Sequence, residues 1–161
     1  MGDKTERIIE STDKNLFIVH LAAPIAVHDR IILICPPHAE LDAGFGLCID
    51  KVAKLARELS ATVLCRCNRR LQQIIADYLE NKKTPADFQF SDIPKMDEAG
   101  DMDSWLRPHD LVVYISARKE SSAYNKNFDD VHVKLERLFS SNSRILVYPK
   151  VQAEKDLQIL N

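Results

Sequence analysis

The sequence predicts an α/β fold, a three-layer sandwich in which a five-stranded parallel sheet carries helices on both faces. Two observations lead there. The first is the stretch from Arg30 to Leu59. It opens with an unbroken apolar run, Ile31-Ile32-Leu33-Ile34-Cys35, which Pro36-Pro37 stops. After a polar loop from His38 to Ala43, apolar residues recur at Phe45, Cys48, Ile49, Val52, Ala56 and Leu59. A short branched run without alternation reads as a strand buried on both faces, and spacings of three and four read as an amphipathic helix. The second observation is that buried runs and amphipathic stretches keep alternating to the end of the chain, as parallel strands joined by crossovers require.

In order, residues 1–15 are a polar tether and residues 151–161 a C-terminal tail, with the domain at 16–150 between them. Leu16-Phe17-Ile18-Val19 and Leu21 form an apolar patch broken by Pro24, and the sequence leaves it open as an added edge strand or a loop over the core. The first sheet strand, near 30–36, and its helix follow. Ala61–Cys67 is the second strand. Asn68 caps a helix with Leu71, Ile74, Ile75, Tyr78 and Leu79 on one face, which stops over Asn81–Pro85. Phe88 and Phe90 mark a third strand near 87–91, and the acidic stretch Asp92–Asp103 a loop leading to a short helix around Met102–Leu106. Leu111–Ile115 is the fourth strand, and Ser116–Asn127 a long polar loop. The last helix carries Phe128, Val131, Leu135, Leu138 and Phe139, with Asp129 and Asp130 in its first turn and Lys134 and Arg137 later, as its dipole prefers. Ser143–Tyr148 is the fifth strand, ended by Pro149. If the strand order is 3-2-1-4-5, the sheet has a switch point between the first and fourth strands, where ligands prefer to bind at the strands' carboxyl ends. The loops facing it are Pro36–Ala43 and Ser116–Asn127.

Composition narrows the partners. The 161 residues suit one domain, and 45% apolar with 29% charged residues is ordinary for a globular protein. A net charge of −2 gives no reason to expect nucleic acid or an acidic membrane. No apolar run approaches the roughly 20 residues needed to span a bilayer, and MGDKTERIIE is too charged for a signal peptide. Gly2 is not followed by the Ser or Thr that myristoylation wants, since Glu6 stands there. The four cysteines, Cys35, Cys48, Cys65 and Cys67, fall in predicted strands and a helix, which fits a reducing cytoplasm.

The two switch-point loops resemble a known family. Pro36-Pro37-His38-Ala39-Glu40-Leu41-Asp42-Ala43-Gly44-Phe45 resembles the pattern PP-x-A-E-x-x-x-GF, and Ser116-Ala117-Arg118-Lys119 with Tyr124 resembles S-A-R-K…Y. Both belong to the cytosolic C-terminal domain of monovalent cation–proton antiporters of the sodium/hydrogen exchanger class. The ending Ile145–Pro149 fits as well, and the likeness covers residues 16–150. The resemblance implies a universal stress protein-like fold, related to the adenine nucleotide alpha hydrolases. It also implies a regulatory or accessory role beside a membrane domain of the same polypeptide, at the cytosolic face of the inner membrane. The transport chemistry then lies outside this chain. The alternative is a free-standing stress-type protein that binds a small ligand or nucleotide. Nucleotide-binding relatives carry an Asp after the first strand and a glycine-rich loop after the fourth. Here Pro36-Pro37 occupies the first place and no glycine follows Gly100, so a phosphate cradle of that kind is disfavoured and no cofactor is expected.

His38, Glu40, Ser116, Arg118, Lys119, Ser122 and Tyr124 are the candidate ligand-binding residues. Two cations and a hydroxyl at a strand end suit an anion, although a solvated basic turn has the same composition. His38 beside Glu40 and Asp42 is the one histidine placed for pH sensing. Cys65 and Cys67 are read as pointing to opposite faces of their strand, too far apart to share a metal, with Cys35 a neighbour of one of them across the sheet. No histidine pair has metal-ligand spacing, and the acidic run is not a calcium loop. No serine has a neighbouring base, so an enzyme is the least supported class. The apolar fifth strand is expected at a bare sheet edge, where it would pair with a second copy in a homodimer.

Overall fold

The computed structural model describes residue 9 and residues 13–83, 86–93 and 104–152. The described residues form one mixed sheet and three α-helices. In order these are β1 (Leu16–His20), β2 (Arg30–Ile34), α1 (Phe45–Leu59), β3 (Thr62–Arg66), α2 (Arg69–Lys82), β4 (Phe88–Ser91), β5 (Asp110–Ile115), α3 (Val131–Leu138) and β6 (Ser143–Tyr148). Across the sheet the strands run β1-β6-β5-β2-β3-β4. The last five are parallel, and β1 alone runs antiparallel.

The central strand shows why the run Ile31–Cys35 lacks polar alternation. Ile31, Leu33 and Cys35 face α1 and α2 and pack in one core with Ile49, Val52, Leu71 and Ile75. Ile32 and Ile34 face the other way and share a second core with Val131, Leu135 and Leu138 of α3. Both sides of β2 are therefore dry. Each such side chain contributes roughly 1.5–3 kcal/mol by leaving water. At the amino ends of the strands, Arg30 donates to both carboxylate oxygens of Asp110, at 2.8 and 2.6 Å, and to the Trp105 carbonyl at 2.6 Å. Asp110 also accepts the Arg107 amide at 2.7 Å, so the buried carboxylate is matched by three donors. Asn68 caps α2 as its position suggests, its Oδ1 accepting the Leu71 amide at 2.9 Å.

The structure corrects four expectations. The sheet has six strands, not five, because Leu16–His20 is a strand. Consequently Ser143–Tyr148 is not an edge: β5 holds one side of it and β1 the other, with Phe17 opposite Val147 and Val19 opposite Ile145. Pairing two copies side by side through this strand has no free edge to use. Helix α3 begins at Val131; Asp130 is its cap at φ 53°, while Phe128 belongs to a preceding 3-10 turn, Lys126–Phe128. Lastly, Cys65 and Cys67 point to the same face, since strand side chains repeat every second residue. Both thiols lie in the α1–α2 core, 3.8 Å apart. The acidic stretch 94–103, most of the tether and the tail from residue 153 lie outside the described residues.

Candidate functional site

Strand order places the switch point between β2 and β5: the chain leaves β2 toward β3 on one side and leaves β5 toward β6 on the other. The loops after these strands meet above the sheet. After Pro36-Pro37 the first loop turns at His38, whose φ of 72° lies in the left-handed region that His tolerates better than most residues. A 3-10 turn, Ala39–Leu41, follows and buries Ala39. Asp42 comes next, a residue only 4% exposed. The Ser121 hydroxyl, from the second loop, donates to it across 79 residues of sequence, lying 2.8 Å from one carboxylate oxygen and 2.9 Å from the other. Ser121 Oγ in turn accepts the Ala123 amide at 3.0 Å. That amide fixes the hydroxyl's orientation, so its single proton goes to Asp42. Burial pushes the Asp42 carboxyl up to about 6, against the pull of the Ser121 hydrogen bond and of Arg118, with Glu120 adding to the rise.

Arg118 is buried, and backbone carbonyls take its guanidinium. It donates to Lys14 at 2.5 Å, to Pro149 at 2.7 Å, to Tyr148 at 3.3 Å and to Ile9 at 3.5 Å. One side chain thus ties the second loop to the start of β1 and the end of β6. Burial lowers its pKa, opposed by Glu120, Asp13, Asp42 and Tyr148. Asn15 makes a similar tie. Its Oδ1 accepts the Lys150 amide at 2.7 Å, and the Cys48 thiol lies 3.7 Å away. Burial, with the Asp42 charge adding to it, pushes that thiol up to about 12. Gly44 lies against the same group: a Cβ there would come 2.0 Å from Asn15 Oδ1 and 2.7 Å from the Lys150 nitrogen. The glycine of the first loop is thus required by close packing.

The remaining candidates divide. Glu40 is nearly buried beside Arg70, 4.0 Å away, a separation too long for a hydrogen bond, and its Oε2 has no hydrogen-bond partner. Ser116 Oγ is likewise buried without one. His38, Lys119 and Ser122 are exposed. Tyr124 is half-buried, and its hydroxyl donates to Asp129. A pocket of about 520 Å³ opens beside the second loop, with Arg118, Lys119 and Tyr124 in its wall together with His132, Asp129 and Tyr148. His38, Glu40, Ser116 and Ser122 are not part of that wall. The structure therefore gathers three of the seven sequence candidates around one cavity. Asp42, Ser121 and Asn15, which hold the loops together, were not among the seven. Asp42 falls on an unconstrained position of the first pattern, so only its burial marks it out. Among the described residues no group of His, Cys, Asp or Glu is arranged to hold a metal. None of the helices described is long and apolar enough to cross a membrane.

No protein-family model matches the chain, and no curated protein or solved structure matches it either.

Proposed function

We propose that this chain is the cytosolic regulatory or accessory domain of a monovalent cation–proton antiporter, built on a three-layer, universal stress protein-like fold. One observation carries the reading. The two segments that resemble that family, far apart in sequence, interlock at the switch point through Ser121 and Asp42. The pattern residues also have packing roles. Ala39 and Phe45 are buried, Gly44 admits Asn15, and Arg118 clamps the backbone before β1 to that after β6. A module whose switch point is filled by its own side chains suits a body that docks and regulates better than one that turns over a substrate.

The test is to follow the natural reading frame upstream of Met1 and to measure cation-driven proton movement in inverted vesicles. The whole polypeptide is compared with one truncated before residue 16 of this numbering. Transport is expected to persist in the truncated form with an altered dependence on pH or cation concentration. A frame without membrane-spanning segments, or identical transport profiles, would overturn the reading.

The alternative, a free-standing stress-type protein, draws support from the 520 Å³ pocket at the carboxyl ends of β5 and β6. Its ligand would rest on Lys119, Tyr124 and His132, because backbone carbonyls occupy Arg118.

A further inference from the structure

We propose that Asp42 and Ser121 form a proton-operated latch between the two switch-point loops, closed when the buried carboxyl is protonated and loosened when it ionises. The geometry carries this. A carboxylate away from water needs several donors or a close cation. Among the described residues Asp42 receives one hydroxyl proton, shared between its two oxygens. By contrast, Asp110, equally buried, has three donors, two of them from a bidentate arginine.

The surrounding described residues do not supply what is missing. Arg118 is the cation that faces Asp42, yet its hydrogen bonds go to the carbonyls of Ile9, Lys14, Tyr148 and Pro149. Glu120, on the same loop as Ser121, opposes a second negative charge. From α1 the Cys48 thiol faces the carboxyl and stays protonated. Asp13, from the segment before β1, and Tyr148, at the end of β6, act on Arg118 and favour its charged form. With burial added, the carboxyl titrates near 6 and not near 4.

The consequence is mechanical. Ser121 donates to Asp42 and accepts from Ala123, so the carboxyl's charge bears on the backbone of the second loop. That loop carries Arg118, which holds β1, and Lys119 and Tyr124, which line the pocket. If the open loop exposes Asp42 fully to water, the closed-to-open ratio falls by up to ~100-fold between pH 4 and neutrality. The latch depends on this chain's loops alone, whatever the chain is attached to.

The experiment is a nuclear magnetic resonance titration of the Asp42 carboxyl carbon in the unmodified chain. Amide hydrogen-exchange protection over residues 116–127 is measured alongside at pH 5 and pH 7.5, corrected for intrinsic exchange. The expected result is a carboxyl midpoint near 6 and loop protection at least severalfold lower at pH 7.5. Asp42→Asn should keep high protection at both values. Ser121→Ala serves as the second variant: it removes the donor and should move the carboxyl midpoint still higher. A carboxyl midpoint below about 4.5, within the ordinary range for an exposed aspartate, would overturn the proposal. So would loop protection in the unmodified chain that is equal at the two pH values.

Discussion

Asp42 and Gly44, two residues apart, behave differently because one holds charge and the other holds space. The folded chain binds the Asp42 proton more tightly than the unfolded chain, in which an aspartate titrates near 4. A carboxyl raised in this way contributes most below that lower value, and its contribution falls as pH rises through about 6. Asp42→Asn should therefore gain on the parent as pH rises from 4.5 to 8, by at most ~3 kcal/mol, since each pH unit is worth ~1.4 kcal/mol. Urea unfolding at the two pH values checks this, and an advantage that does not grow with pH contradicts it. Gly44→Ala should be destabilising at every pH. Its new methyl meets Asn15 Oδ1, which cannot move away without releasing the Lys150 amide. A loss of about 1–3 kcal/mol fits an overpacked site of this kind, and the same unfolding measurement reads it.

Among the elements, β1 changes the character of the sheet. Without it, β6 would present Ile145-Leu146-Val147-Tyr148 at an open edge. With it, the chain supplies for itself the antiparallel neighbour that a second copy would otherwise provide. Arg118 holds that strand from the side, through the Lys14 carbonyl just before β1 and the Pro149 carbonyl after β6. Arg118→Ala removes the guanidinium that joins the Lys14 and Pro149 carbonyls and should lower stability by about 1–3 kcal/mol. Loss of exchange protection is expected first in β1. A chain shortened to begin at Ala23 should self-associate at tens of micromolar, where the full chain is expected to stay monomeric, and analytical ultracentrifugation distinguishes the two. A shortened chain that remains a clean monomer would show that β1 is not what guards the edge.

For the molecule as a whole, the question is what the switch point can accept. Doubly wound sheets commonly bind phosphates there with glycine-rich backbone. In this chain Pro36-Pro37 follows β2, and the loop after β5 holds no glycine from Ser116 to Asn127. The side chains that reach the crevice, Asp42, Ser121 and Arg118, are occupied with one another or with backbone. ATP with magnesium is therefore expected to show no binding by calorimetry up to the high-micromolar range. Micromolar affinity would mean that the loops open far enough to rebuild the site.

The sequence by itself determined the alternating α/β architecture, the limits of most strands, the helix cap at Asn68 and the two loops that meet at the switch point. These rest on local periodicity and on backbone chemistry that a few neighbouring residues decide. It did not determine whether Leu16–His20 pairs, because an edge strand of five residues has no periodic signature long enough to separate it from an apolar loop. It also misled about the seam. An apolar fifth strand implies an open edge only while nothing else in the chain can cover it. Tertiary structure alone decided that Arg118 is spent on carbonyls and that Asp42 is buried. Both facts depend on contacts spanning from 30 to more than 100 residues, as between Arg118 and Lys14 or Asp42 and Ser121. A basic residue in a polar loop reads as solvated until the chain that surrounds it is in place. A carboxylate between Leu41 and Ala43 reads the same way, and only the closing of two distant loops takes it out of water.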